Sequence, residues 1–230
     1  AFFSLSLGMG CMITYGSYIN KQESDLIKIS LWIAVLDTLV ALLAGIIIFS
    51  IVFSFNMEAS SGPGLIFITL PYLFNSIPLG HLISIIFFIL LFFAAVTSSI
   101  SLLEVVTAYF VDNITIHRKL ISIIVGFQIF LIGVLCALSF NILANAKILN
   151  KFNIFDFFDG ITSNVFLPLG GILISIFFGW ILGPQAIDQV FKKYYKIKFI
   201  KIIFSWTLKI LVPTSIFIIL IRGIKTWLSI

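Results

Sequence analysis

The chain has 230 residues, 61% of them hydrophobic and 10% charged, with a net charge of +5 and a mean hydropathy of +1.22. A soluble domain of this length carries far more charge, so the composition excludes one and indicates a polytopic membrane protein. Apolar stretches of about 20 residues cross a ~30 Å hydrocarbon core as helices, and these stretches lack the alternation that a closed barrel would need.

The first stretch, residues 1–19, is interrupted. It reads AFFSLSLGMGCMITYGSYI and places two serines and two glycines between Ser4 and Gly10. Inside a bilayer a broken helix is tolerated only where the freed backbone groups line a cavity or a ligand. Serines flanking Gly-x-Gly therefore predict an unwound segment with available carbonyls and hydroxyls, while close helix packing is the competing use of Gly8 and Gly10. The chain begins with Ala inside this apolar stretch, which leads us to expect a start within a longer protein.

Five further helices are predicted, over 29–55, 79–112, 119–143, 160–190 and 201–222. Between the first two of these lies SSGPGLIFITLPYLFNSIPLG, a short apolar run bracketed by Gly62, Pro63, Gly64, Pro71 and Pro78. It is too brief to span, and 56–78 reads as an extracellular loop carrying a short helix. Loops on one side of this topology hold nine cations: Lys21, Lys28, Arg118, Lys119, Lys192, Lys193, Lys196, Lys198 and Lys201. The other side holds Lys147, Lys151, Arg222 and Lys225, so the first side is cytoplasmic. The basic run KKYYKIKFIK is a topology signal that meets anionic lipid, and no nucleic-acid partner is expected.

Intramembrane polar groups are unfavourable unless partnered, which makes each a functional candidate. Asp37 lies in the middle of SLWIAVLDTLVALLAGIIIF, where no basic side chain of the same helix reaches it, so sodium or a proton is the expected partner. The 79–112 helix carries FFAAVTSSISLLE, and helical spacing puts Ala94, Thr97, Ser98 and Ser101 on adjoining parts of one face. A lone hydroxyl there would only bond back to the preceding carbonyl, but an inward cluster offers hard oxygen ligands to an alkali ion. Glu104 continues that face, and Asp112 closes the helix against its dipole and is expected to have a cationic partner. Asp156 and Asp159 read as a solvated helix N-cap, and Pro168 and Pro213 as bends without chemistry. Neither Cys11 nor Cys136 has metal-type spacing, and His81 and His117 lie at opposite membrane faces without partners spaced for a metal or a triad.

With these residues in place, FFSLSLGMGCMITYGSY resembles the sixth transmembrane helix of the neurotransmitter:sodium symporter family, particularly of its bacterial amino-acid transporters. LDTLVALLAGIIIF, GPGLIFITLP, LLFFAAVTSSISLLEVVTAYFVD and the paired glycines before GWILG resemble its seventh helix, fourth extracellular loop, eighth helix and tenth helix. The resemblance implies an all-α inverted-repeat membrane fold: the second repeat plus one further helix, with a discontinuous first helix and alternating access at a midplane site. It implies an amino-acid substrate held by Phe3 as an aromatic lid and by Ser6, Gly8, Met9, Gly10, Ser98 and Leu102. Co-transported sodium would be met by Ser4 and Asp37 at one site and by Ala94, Thr97 and Ser98 at another. Asp159 would belong to the outer gate, and Asp112, supported by Tyr18, to the cytoplasmic gate. Asp37 stands where many relatives have Asn, and Ala41 where chloride-dependent relatives have Ser. Asp37 with Glu104 is therefore expected to supply the negative charge that chloride would otherwise bring.

The family's first five helices, with further substrate contacts and the basic partners of both gates, have no counterpart in these residues, so a partner of this chain is the N-terminal part of the same protein. The reading is thus part of a sodium-coupled amino-acid symporter of the cytoplasmic membrane, with no organic cofactor and no enzymatic activity. Phe3, Met9 and Leu102 offer an apolar wall that suits an apolar or aromatic side chain. Two alternatives compete: a truncated or non-transporting membrane subunit, and an intramembrane aspartyl protease. The protease chemistry needs paired acids at one depth and a G-x-G-D signature, whereas here G-M-G is followed by Cys11, and Asp37 and Asp112 fall at different depths.

Overall fold

The structure, a computed structural model, describes residues 4–19, 25–54, 64–191 and 198–229. Among the described residues it is mostly helical, with one β-bridge, Ile148 with Phe152, in the turns between Leu138 and Ile154. Five helices are long and apolar enough to cross a membrane: α2 (Leu26–Ser54), α4 (Gly80–Asn113), α5 (Arg118–Leu138), α6 (Ile154–Ile181) and α8 (Phe199–Leu228). Three shorter helices complete the set: α1 (Cys11–Tyr18), α3 (Leu65–Phe74) and α7 (Gly183–Val190).

Two of these helices differ in their bounds from the sequence expectation for a local reason. The helix expected over 160–190 begins at Ile154, because the Asn153 side chain accepts the Asp156 amide at 2.7 Å and caps it there. The expected capping aspartates are not the cap. That helix also stops at Ile181, where Gly183 takes a left-handed φ of 49° and starts α7. The helix expected over 119–143 ends at Leu138 in a run of turns fixed by Ser139, whose hydroxyl donates to Cys136 O and accepts the Phe155 amide at 3.3 Å.

Prolines shape the helices differently from simple bends. Four π-helical turns, Leu65–Thr69, Thr162–Phe166, Phe177–Ile181 and Thr207–Leu211, each end two or three residues before a proline: Pro71, Pro168, Pro184 and Pro213. Proline has no amide to give the carbonyl four residues back, and a wider i→i+5 turn is one way for the helix to continue past it.

The chain divides into two compact units, residues 30–101 and residues 1–29 with 102–230. In the first, α3 folds onto the start of α4: Thr69, Leu70, Leu73 and Phe74 are buried, and Phe74 meets Phe87 edge-on at 5.5 Å. Gly80 allows the turn, since a Cβ there would strike the Phe74 carbonyl. In the second unit α6 is central, packing on α8 and on the chain just before α1, with Leu167, Pro168, Gly171 and Ser175 buried. At its outer end the Trp227 indole fills the space a Cβ on Gly160 would need and stacks on Phe152 at 5.3 Å. The apolar side chains of α2, α4 and α5 are mostly exposed, as suits helices whose solvent is lipid.

Candidate functional site

The interruption in the first segment is a defined backbone structure. Ser6 has φ 49° and ψ 35°, Leu7–Met9 form a single 3-10 turn, and Gly10 has φ 80° before α1 begins at Cys11. Two left-handed residues around one tight turn end any continuous helix here and leave backbone groups that an α-helix would have paired. For Gly10 the reason for glycine is conformational. For Gly8 it is proximity: a Cβ there would strike the Leu167 carbonyl of α6, and a Cβ on Gly170 would strike the Gly8 carbonyl. Both readings of this Gly-x-Gly pair hold, one for each glycine. Met9 is half-buried and Cys11 buried beside it, while Phe3 lies outside the described residues.

The oxygen-rich face of α4 is ordered by its own backbone. Thr97 Oγ1 donates to Ala94 O at 2.9 Å, Ser99 Oγ to Ala95 O at 2.8 Å and Ser101 Oγ to Thr97 O at 2.9 Å. Ser98 makes no such bond and is exposed. A hydroxyl that donates backwards keeps its lone pairs, so the hydroxyl oxygens of this face still suit a hard cation, whereas the Ala94, Ala95 and Thr97 carbonyls each accept both a helical amide and a hydroxyl. Asp37 lies half-buried on α2. Asp37, Ala94, Thr97 and Ser98 belong to the first unit, whereas Ser4, the interruption, Leu102 and the three expected gate residues belong to the second. Among the described residues no three His, Cys, Asp or Glu side chains gather as a transition-metal site would require.

Near the start of α5 the bonds around Tyr18 run to Glu104. Tyr18, expected to support Asp112, donates its hydroxyl to Glu104 Oε1 at 2.5 Å. Arg118 Nη2 reaches both Glu104 oxygens at 2.6 Å. Glu104 is thereby bound from α1 and from the first residue of α5, with its side chain 18% exposed. Asp112 sits eight residues on, about 12 Å along the helix; it is exposed and forms no ion pair among the described residues. The Glu104 charge is met by Arg118 within the second unit. The pairing is tertiary, and sequence spacing carried no signal of it.

At the outer end Asp159 is exposed on α6 and accepts from Ser163 Oγ at 3.4 Å. The sequence reading also passed over Lys209, the fourteenth cation, which lies inside the α8 span and belongs to neither loop set.

The profile of the Sodium:neurotransmitter symporter family matches residues 1–229. The chain belongs to that family. It is 39% identical over 177 residues to an uncharacterised sodium-dependent transporter of Bacillus subtilis, covering 77% of this chain and 39% of that protein. A second uncharacterised sodium-dependent transporter, from Haemophilus influenzae, is 37% identical over 224 residues, covering 97% of this chain and 48% of its own length. The sodium-dependent dopamine transporter of Bos taurus is 26% identical over 83% of the chain and 28% of its own length. No solved structure matches. This symporter chain thus spans less than half the length of the curated relatives it matches. Membership of a sodium-dependent transporter family, with five helices long and apolar enough to cross a membrane, makes this a multi-pass membrane chain, consistent with the cell membrane of its bacterial relatives.

Proposed function

We propose that this chain is the C-terminal part of a symporter that uses the sodium gradient to carry an amino acid with an apolar or aromatic side chain across the cytoplasmic membrane by alternating access. The observation that carries the reading is the interruption at Ser6–Gly10. An apolar segment with two left-handed residues around one tight turn before α1 begins at Cys11 presents backbone groups that, in hydrocarbon, must be met by protein, a cavity or a ligand. Phe3, Ser6, Gly8, Met9, Gly10, Ser98 and Leu102 line the substrate pocket in this reading. Ser4 and Asp37 serve one sodium ion, and Ala94, Thr97 and Ser98 the other. Asp159 acts at the outer gate. At the cytoplasmic gate Asp112 and Tyr18 are joined by Glu104 and Arg118, which tie the end of α1 to α4 and α5. The remaining ligands come from the N-terminal part of the same protein. The sodium-dependent naming of the relatives supports the ion, and the apolar Met9 and Leu102 support the side-chain class.

The test is uptake of labelled Leu, Tyr and Trp into vesicles carrying the complete polypeptide, with and without an inward sodium gradient. Uptake is expected to need sodium and to fall on Asp37→Ala and on Ser98→Ala. Sodium-independent uptake, or uptake untouched by both substitutions, overturns the assignment.

A further inference from the structure

Lys209 lies well inside the membrane-crossing part of α8, in the π turn Thr207–Leu211. An ammonium in hydrocarbon needs a counter-charge or an escape to the interface. Among the described residues Lys209 has no carboxylate partner, since the other cations that form ion pairs are Arg118 with Glu104 and Lys201 with Asp188. What it has is Trp180: the ammonium stands 5.9 Å from the ring centroid, and the indole Nε1 donates to the Lys209 carbonyl at 3.2 Å. That carbonyl is available because residue 213, which would ordinarily send it an amide, is proline. Gly179 completes the arrangement, letting the Lys209 stem lie against it at the place a Cβ would approach to 3.3 Å.

The depth and direction of this arrangement fit a headgroup. Trp180 is the penultimate residue of α6, at the end that leads through α7 to the lysine-rich loop, so the pair lies in the cytoplasmic half of both spans, within reach of that boundary along a lysine stem. Helical side chains lean towards the helix N-terminus, which for α8 is that same boundary, and a lysine stem extends the reach further. Trp180 and Trp206 are each 64% exposed there, as aromatic residues at a membrane interface are.

We propose that Lys209 and Trp180 form a binding site for the phosphodiester headgroup of an anionic phospholipid in the cytoplasmic leaflet. The ammonium meets the phosphate, the Trp180 ring holds the ammonium from the other side, and the acyl chains run along the exposed apolar faces of α6 and α8.

The complete polypeptide, purified and titrated with phosphatidylglycerol or phosphatidylcholine, is examined by native mass spectrometry. Lys209→Gln is expected to weaken phosphatidylglycerol retention about five-fold and to leave phosphatidylcholine unchanged. Lys209→Arg keeps the charge and retains the lipid, and Lys147→Gln, on the opposite side, changes nothing. Equal retention by wild type and Lys209→Gln, or displacement of the lipid by excess inorganic phosphate, overturns the proposal. A carboxylate from elsewhere in the protein at Lys209 would give the first of these results. Should Lys209→Gln fail to fold, wild-type protein is photocrosslinked with headgroup-labelled phosphatidylglycerol. Adducts on 177–181 and 207–211 support the site, and adducts confined to other segments overturn it.

Discussion

Where the first apolar segment is interrupted, the backbone is not α-helical, with left-handed residues at Ser6 and Gly10; where α3, α6 and α8 meet Pro71, Pro168 and Pro213, the helix widens into a π turn and carries on. Both are departures from α geometry inside a membrane, but they treat the backbone differently. The π turns keep an i→i+5 bond, as from the Val212 amide to Thr207 O, and α6 and α8 remain spanning helices. The interruption is instead held from outside, by the backbone contact between Gly8 and the Leu167–Gly170 stretch of α6. The break at Ser6–Gly10 is supported by a neighbouring helix, whereas a proline in a spanning helix is met within the helix itself.

The largest effect that could break this contrast is steric. Gly8→Ala and Gly170→Ala each drive a methyl into a backbone carbonyl that no side-chain rotation can move, and displacing the unwound segment by about 1 Å is expected to reduce sodium-driven uptake by roughly a hundredfold. Near-wild-type uptake by both variants would show that α6 does not hold the segment. At Gly10 the barrier is conformational, with Val105 Cγ1 as far as 4.0 Å from a Cβ. Gly10→Ala should therefore destabilise by about 1 kcal/mol, read as a lower thermal midpoint, and Gly10→Asn by less, since Asn tolerates the left-handed region better.

Ser6→Gly sharpens the comparison in the opposite sense. Relieving a left-handed non-glycine is expected to raise the thermal midpoint slightly while weakening substrate affinity, a split that a merely structural serine would not give. The smallest effect is at the cytoplasmic end. Glu104→Gln and Arg118→Ala should alter uptake to similar degrees and the double substitution no more than either, because they remove one shared interaction. Asp112→Asn is expected to leave the Tyr18 to Glu104 bond intact.

The interruption was legible because glycine and serine clustered in a lipid-bound run have few meanings, and the helix count followed from hydropathy. Which glycine does what was not legible: Gly8 and Gly10 look alike in a string, and only the approach of Leu167 separates them. Prolines announced irregularity at residues 168 and 213 but not its form, since a bend and a π turn share one signal. Asp112 drew attention over Glu104 because a helix end is visible in sequence, whereas the Arg118 that claims Glu104 arrives through folding. Lys209 was hidden by averaging, one charge inside a window of apolar neighbours. The α4 hydroxyls were found by spacing, and their backward bonds are the local chemistry that any such cluster adopts first.

The seam between α6 and α8 is pinned at both ends, by Gly160 with Trp227 and by Trp180 with Lys209. From pin to pin α6 advances twenty positions and α8 eighteen, so the two sides of the seam are of unequal length. The surplus is absorbed by the turn at Thr162–Phe166 together with most of the turn at Phe177–Ile181, against part of one turn in α8. Each π turn acts as a one-residue insertion that would otherwise rotate everything beyond it by about 100°. Deleting one residue from Thr162–Phe166 should thus throw the outer face of α6, Asp159 included, out of phase with its partner, and the slack in this helix is what keeps the two ends of the seam in register.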